Sequence, residues 1–283
     1  MHRRNMITET LIMTLAVLLP SLIGMTKRSD VMPQGHHAGR MISFLVACED
    51  ELLNFPKKLR EHINESTSME IVITGVGKIN AAIKTAECIF RNRHGMHEIV
   101  NVGTAGSHVF PKGTLGLIFK VGERDFDATD IMRAFVPDYP KHLVPFEEEM
   151  FQPCDNLHEG STWNYNNLKF PEGDNIVTGA TCWTGDNTHA YSEISETMTG
   201  EFIEMEAAAI VKTANYYRPH SSKFIFKWVS DGAGEDVGEE WKENHAIPPH
   251  IWLQVFEFLH MNRVIAGFYD FETIERVRAW FDE

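Results

Sequence analysis

Cysteine is scarce in this chain: four residues in 283, Cys48, Cys88, Cys154 and Cys182, with no CxxC pair among them. That spacing excludes a disulfide-stapled scaffold and offers no thiolate framework for a metal, so the thiols read as reduced and no metal or other cofactor is expected. Long hydrophobic runs are also missing. The apolar run LIMTLAVLL, Leu11 to Leu19, stops after nine residues at Pro20. A bilayer-spanning helix needs about 20, so no stable membrane association is expected. Positive charge is the third shortage: 26 basic side chains face 40 acidic ones, a formal charge of -14. Such a field repels phosphate backbones, which excludes nucleic acid as a partner and favours a small-molecule substrate. The 43% apolar and 23% charged residues are those of a soluble globular chain, so wholesale disorder and a polytopic membrane protein are excluded as well.

The acidity is unevenly spread. Residues 1–40 hold Arg3, Arg4, Lys27, Arg28 and Arg40 against Glu9 and Asp30, a net +3, which leaves -17 on the other 243 residues. Basic MHRR followed by the nine-residue apolar run is similar to a secretory signal, although Glu9 edges the run and no A-x-A cleavage site follows. The stretch TKRSDVMPQGHHAGR reads as a polar linker, and His36 and His37, with no third ligand nearby, as solvated histidines. Three readings of residues 1–40 stand open: a signal, an extension, and a leader upstream of a start at Met41. A start at Met41 implies a cytoplasmic protein; a working signal in residues 1–25 implies a secreted one.

From residue 41 onward apolar runs alternate with helical patterns. ISFLVAC from Ile42, EIVIT (Glu70 to Thr74), EIVNV (Glu98 to Val102, broken by Gly103-Thr104-Ala105-Gly106), TLGLIFKV, NIVT (Asn175 to Thr178) and KFIFKWV (Lys223 to Val229) have the continuous apolar character of buried parallel strands. Helices are predicted over Lys78 to about Arg93, Met205 to Tyr217, Pro249 to about Asn262 and Phe271 to Phe281. The pattern predicts an α/β fold, one domain over residues 41–283 with a central, mostly parallel (mixed) twisted sheet flanked by helices. The site of such a sheet lies at the C-terminal strand ends. Glu49, Asp50 and Glu51 after the first strand, Thr104 after the third, and Ser230 and Asp231 after the last should therefore converge. Carboxylates, a hydroxyl and Lys227 make an acid/base site, although acids after strands also serve as helix and turn caps.

Five motifs in order carry more than any one of them. ACEDEL (Ala47 to Leu52), GVGKINAA (Gly75 to Ala82), NVGTAGS (Asn101 to Ser107), EMEAAAI (Glu204 to Ile210) and VSDGAGED (Val229 to Asp236) resemble the signatures of the nucleoside phosphorylase/nucleosidase superfamily, most closely those of its methylthioadenosine/S-adenosylhomocysteine nucleosidases. The resemblance does not reach residues 1–40. It implies a metal-free N-glycosidase, active on a purine nucleoside and commonly a homodimer. By position it implies that Asp231 passes a proton to the purine N7, that Glu51 activates the attacking water with help from the Thr104 hydroxyl, and that Glu206 grips the ribose hydroxyls while Met205 packs on the sugar. Lys227 stands where the family has an arginine near the water. Trp241, ten residues after Asp231, falls where an aromatic ring meets the 5'-substituent, and Trp183 falls near the base-stacking aromatic; both also suit core or interface. Ala180 replaces the usual aspartate.

Phosphorylases of this superfamily carry an arginine where Asn101 stands, because an attacking phosphate dianion needs a bidentate cation. Asn101 therefore implies hydrolysis, with phosphorolysis and cleavage of a nucleotide such as AMP as alternatives. The stretch Glu123 to Phe135 resembles the family's ribose-side loop, with Arg133 either reaching a 5'-phosphate or lying on the surface, and PDYPKHLVPFEEEMF reads as a solvated lid or insertion. Ile251, Trp252, Phe256, Phe258, Trp280 and Phe281 are core or interface residues.

Overall fold

The run ISFLV is apolar at every position but one because both faces of its strand are covered. In the computed structural model β1 (Arg40–Val46) turns Phe44 and Val46 toward one core cluster and Leu45 toward another. The structure describes residues 40–93, 95–125, 149–150, 168–171, 175–186, 201–218, 221–262, 264 and 271–281. The expectations for residues 1–39, for Arg133 and for most of the proline-bearing stretch 137–151 lie outside them.

The described strands are β1, β2 (Met69–Ile73), β3 (Met96–Gly106), β4 (Leu115–Glu123), β5 (Glu149–Met150), β6 (Ile176–Thr184), β7 (Phe202–Glu204) and β8 (Lys223–Asp231). β2, β1, β3 and β8 run in parallel register, β4 pairs antiparallel to β8, and β6 and β7 follow in parallel before β7 closes onto β3. The sheet is thus mixed and mostly parallel, and β3, β8, β4, β6 and β7 form a hydrogen-bonded ring.

Helices α1 (Lys57–Glu65), α5 (Pro249–Met261) and α6 (Phe271–Phe281) cover one face. There Phe44 stacks on Phe256 at 5.1 Å, and Trp252 meets Phe55 edge-on at 4.8 Å. Helices α2 (Lys78–Arg91) and α3 (Ala207–Tyr217) cover the other through Ala81, Ile89, Ile210 and Ala214 against Leu45 and Ile99. Each fully buried large aliphatic or aromatic side chain contributes about 1.5–3 kcal/mol. The C-terminal apolar residues prove to be core: Ile251, Trp252, Phe256 and Phe258 are buried, and Trp280 and Phe281 pack partly buried against them.

Three strands run further than their sequence patterns. β3 continues through Gly103 to Gly106 because β8 pairs with it as far as Gly106, with a register shift after Ala105. β6 continues from Thr178 to Thr184 alongside β4. β8 includes Ser230 and Asp231, so these two end a strand rather than follow it. Helix α3 begins at Ala207, with Met205 and Glu206 in the bend before it. The predicted helices omit the short 3-10 turn Glu49–Leu52, α1, whose Leu59 and Ile63 stand one turn apart and are both buried, and the acidic helix α4 (Val237–Asn244), which buries none of its side chains.

Candidate active site

The 3-10 turn after β1 separates three consecutive acids. Glu49 points outward to Arg60 (2.7 and 2.9 Å), Asp50 is exposed, and Glu51 turns inward and is 3% exposed. Its carboxylate accepts hydrogen bonds from the Ala47 N–H (3.1 Å), the Thr104 N–H (2.6 Å) and the Thr104 hydroxyl (2.9 Å). Burial raises its pKa, and these donors together with the Lys227 ammonium oppose that rise. Glycine at position 103 leaves room for this packing: a Cβ there would lie 3.2 Å from both the Glu51 carboxylate and Lys227 Nζ, so both would have to give.

At the end of β8, Asp231 accepts the Ser230 hydroxyl (2.8 Å) and the Ala233 N–H (2.9 Å), and burial raises its pKa. Gly106 is required beside it, since a Cβ there would fall 2.4 Å from its carboxylate oxygen. Glu51, Thr104, Met205, Glu206, Asp231 and Trp241 all line one cavity of about 550 Å³, so of the strand-end residues Glu51, Thr104 and Asp231 converge there, while Glu49, Asp50 and Ser230 do not line it. That volume is in the range of small-molecule sites, about 300–1,000 Å³.

Glu206 sits between charges. Its carboxylate accepts the Gly77 N–H (2.9 Å), while burial and the neighbouring Glu204 push its pKa up to about 8. A folded-state pKa above the unfolded 4.5 means that this group's contribution to stability is complete below pH 4.5 and is lost as pH rises through about 8. Glu206→Gln is therefore expected to remove a decline of up to about 1.4 kcal/mol per pH unit across that window. Urea unfolding at pH 5 and pH 8 measures it; equal pH slopes for variant and wild type would contradict the assignment.

Neither Lys227 nor Trp183 is on the cavity wall among the described residues. The β3–β8 register sets Lys227 opposite Gly103, where its ammonium is 1% exposed and ion-pairs with Glu204 at 2.8 Å. It therefore lies behind the wall, next to Glu51. Glu204 also accepts the Thr184 hydroxyl and the N–H groups of Glu206 and Ala207. Burial would raise the Glu204 pKa, but Lys227 and these donors bring it below its ordinary value. Alternation along β6 turns Cys182 into a core cluster and Trp183 to the other face, its ring against Gly122 of β4. Ala180 is buried in that same cluster. Asn101 bonds across the sheet, its amide donating to the Leu45 carbonyl at 2.9 Å.

Cys48, Val76, Arg124, Ile203, Glu204 and Glu235 also line the cavity. Arg124 follows β4 as Glu51 follows β1, so the strand-end rule could have found it. Glu204 was signalled by Lys227 itself, because a lysine inside the apolar run KFIFKWV needs a buried counter-charge. Among the described residues no group of three or more His, Cys, Asp or Glu could hold a metal, and no helix is long and apolar enough to cross a membrane.

Comparison with known proteins agrees with this fold. The chain is 28% identical over 195 residues to the 5'-methylthioadenosine/S-adenosylhomocysteine nucleosidase of Colwellia psychrerythraea, covering 65% of this chain and 76% of that protein. It is 25% identical over 187 residues to the Bacillus subtilis protein of the same name, covering 61% and 71%. The fold resembles the crystal structure of the Colwellia nucleosidase in complex with adenine, with a TM-score of 0.57 and 21% identity over 79% of this chain and 96% of that one. It equally resembles the Streptococcus pneumoniae nucleosidase with 8-aminoadenine, with a TM-score of 0.58 and 18% identity over 77% and 98%. The profile of the Phosphorylase superfamily matches residues 49–247 and so spans nearly all of the motifs that build the cavity. By that match, which covers well over half its length, this chain belongs to the phosphorylase superfamily.

Proposed function

We propose that this protein is an N-glycosidase that hydrolyses a purine nucleoside of the 5'-methylthioadenosine/S-adenosylhomocysteine type, releasing adenine and the ribose derivative. The carrying observation is that Glu51 and Asp231 share one cavity with Glu206 and Met205. As the C1'–N9 bond breaks, positive charge grows on the ribose and negative charge on the purine. Glu51, where the Thr104 and Ala47 donors and the Lys227 ammonium oppose the rise that burial causes, takes a proton from water as the water oxygen bonds C1'. Asp231, whose burial favours the protonated form, gives its proton to N7, so the purine leaves neutral and both charges are cancelled.

Water is favoured over phosphate by the scarcity of cations on the wall, where Arg124 is the one cation among the described residues. An attacking phosphate dianion needs a bidentate cation beside it, and none stands next to Glu51 on the wall. The test is mass spectrometry of 5'-methylthioadenosine, S-adenosylhomocysteine, 5'-deoxyadenosine and AMP incubated with the protein, with and without phosphate. Adenine with a free ribose derivative in phosphate-free buffer is expected; a ribose 1-phosphate formed only with phosphate would overturn hydrolysis, and binding of adenine without cleavage of any nucleoside would indicate a binding protein.

The finer reading is a cytoplasmic homodimer acting in methionine salvage. Free Cys48, Cys88 and Cys182 fit a reducing compartment. An apolar stripe supports the dimer: Ile79, Ile83 and Phe90 lie exposed along one face of α2, and Tyr217, 5.0 Å from Phe90, continues it onto α3 with Tyr216. Contiguous exposed apolar surface of this kind marks an association site. Ile79→Glu with Ile83→Glu is expected to halve the mass seen by sedimentation without unfolding the chain, since both side chains are solvent-exposed; an unchanged mass would remove this face from the dimer.

A further inference from the structure

Trp241 is half-buried on α4 and lines the cavity, but its ring is not the only part in use. Its indole Nε1–H donates to Thr104 Oγ1 at 3.1 Å, and Thr104 Oγ1 lies 2.9 Å from Glu51 Oε1. The chemistry of the three groups fixes the direction of every proton. Indole N–H only donates, so the hydroxyl oxygen must accept from it; an ionised carboxylate only accepts, so the one hydroxyl proton goes to Glu51. We propose that Trp241 is a positioning residue for Glu51, acting through Thr104: it holds the hydroxyl rotor so that the proton is committed to the carboxylate, keeping Glu51 ionised and oriented as the base. This rests on the reading of Glu51 as the base in the proposed hydrolysis.

Protonating Glu51 would break this order. On Oε1 a proton would displace one of the two Thr104 donors, and on Oε2 it would oppose the Ala47 N–H. The other groups around Glu51 pull in both directions: the Lys227 ammonium on β8 favours the ionised form, while the Glu206 carboxylate before α3 and the Cys48 thiol on its own turn share its surroundings. The relay adds to the Lys227 effect, and burial works against both.

The rest of α4 keeps the indole in place. The Trp241 ring lies 5.1 Å from that of His245, one turn on. The preceding residue, Glu240, accepts the Gly232 N–H at 2.8 Å and pairs with Lys112 at 2.7 Å. Gly232 follows Asp231, so adjacent residues of one helix are bonded to the residue next to the acid and to the relay that ends on the base.

The test compares wild type with Trp241→Phe, Thr104→Val and the double variant. Phenylalanine keeps a ring in the wall and removes only the donor. The first readout needs no substrate: carbon-13 NMR titration of the Glu51 carboxyl in the free protein, assigned with Glu51→Gln. The Glu51 midpoint is expected to rise by about half a unit in Trp241→Phe and further in Thr104→Val, with the double variant matching Thr104→Val. The second readout is the pH profile of kcat/KM for adenine release. Its acid limb should move to higher pH in Trp241→Phe, lowering activity on that limb about threefold through kcat, with KM little changed. A Glu51 midpoint equal to wild type in Trp241→Phe, or additive effects in the double variant, would overturn the relay. Wild-type protein that releases no adenine would instead overturn the hydrolysis, and the titration would still decide the relay.

Discussion

Glu51→Gln and Asp231→Asn are each expected to cut the turnover of purine release by at least about a hundredfold, the lower end of what general acid/base groups contribute. The two substitutions differ in structural cost. In Asp231→Asn the new amide can donate to the Ser230 oxygen while the Ser230 hydroxyl turns to the Ala105 carbonyl, which already lies 3.3 Å away, so every polar group keeps a partner. In Glu51→Gln the new carbonyl keeps the Thr104 donors, but the amide nitrogen is set against the Ala47 N–H, two donors face to face. A modest loss of stability, about 1 kcal/mol, should therefore accompany Glu51→Gln and not Asp231→Asn. Adenine release followed by ultraviolet absorbance, with thermal unfolding of the same samples, separates the two effects. Near-normal release by both variants would sink the assignment of base and acid, and with it the proposed hydrolysis.

The strands were legible because strands buried on both faces leave few polar positions in the run: Phe44 and Leu45 point to opposite cores, and both must be apolar. Their ends were less so. Pairing with a neighbour carries β3 through Gly103 to Gly106 and β8 to Asp231, and no local pattern announces a partner's length. The same limit applies in the site. Glu51, Thr104 and Asp231 could be read because each stands at the end of an apolar run. Glu204 resembled an ordinary helix-start acid until the register placed Lys227 behind Gly103. The face on which Trp183 lies depends on where β6 begins its alternation, which the short run NIVT left open. Helix α4 escaped notice because VGEEWKEN buries none of its side chains. Yet its tryptophan reaches Thr104, a contact set by tertiary placement alone.

Lys227→Met is expected to destabilise the fold by about 3–5 kcal/mol, roughly 10 °C in Tm for a chain of this size, because it leaves a buried carboxylate without its counter-charge. Three donors remain on Glu204, from Thr184, Glu206 and Ala207, which places the loss toward the lower end. The pH dependence gives the mechanism its signature. In the wild type the Glu204 pKa lies below its unfolded value, so its stabilisation is present above that value and fades as pH falls through the folded one. Without the ammonium, Glu51, Glu204 and Glu206 face one another in a buried site, and their folded pKa values move up together. Stability then belongs to the protonated forms and is lost as pH rises, so the deficit of Lys227→Met should be larger at pH 8 than at pH 5. Adding Glu204→Gln removes the stranded charge while keeping a carbonyl to accept the backbone N–H groups, and should recover at least half of the loss. Urea unfolding of wild type, Lys227→Met and the double variant at both pH values decides this. A deficit that is equal at the two pH values, or a double variant whose loss is the sum of its parts, would mean that Lys227 stabilises through packing of its methylene stem rather than through charge.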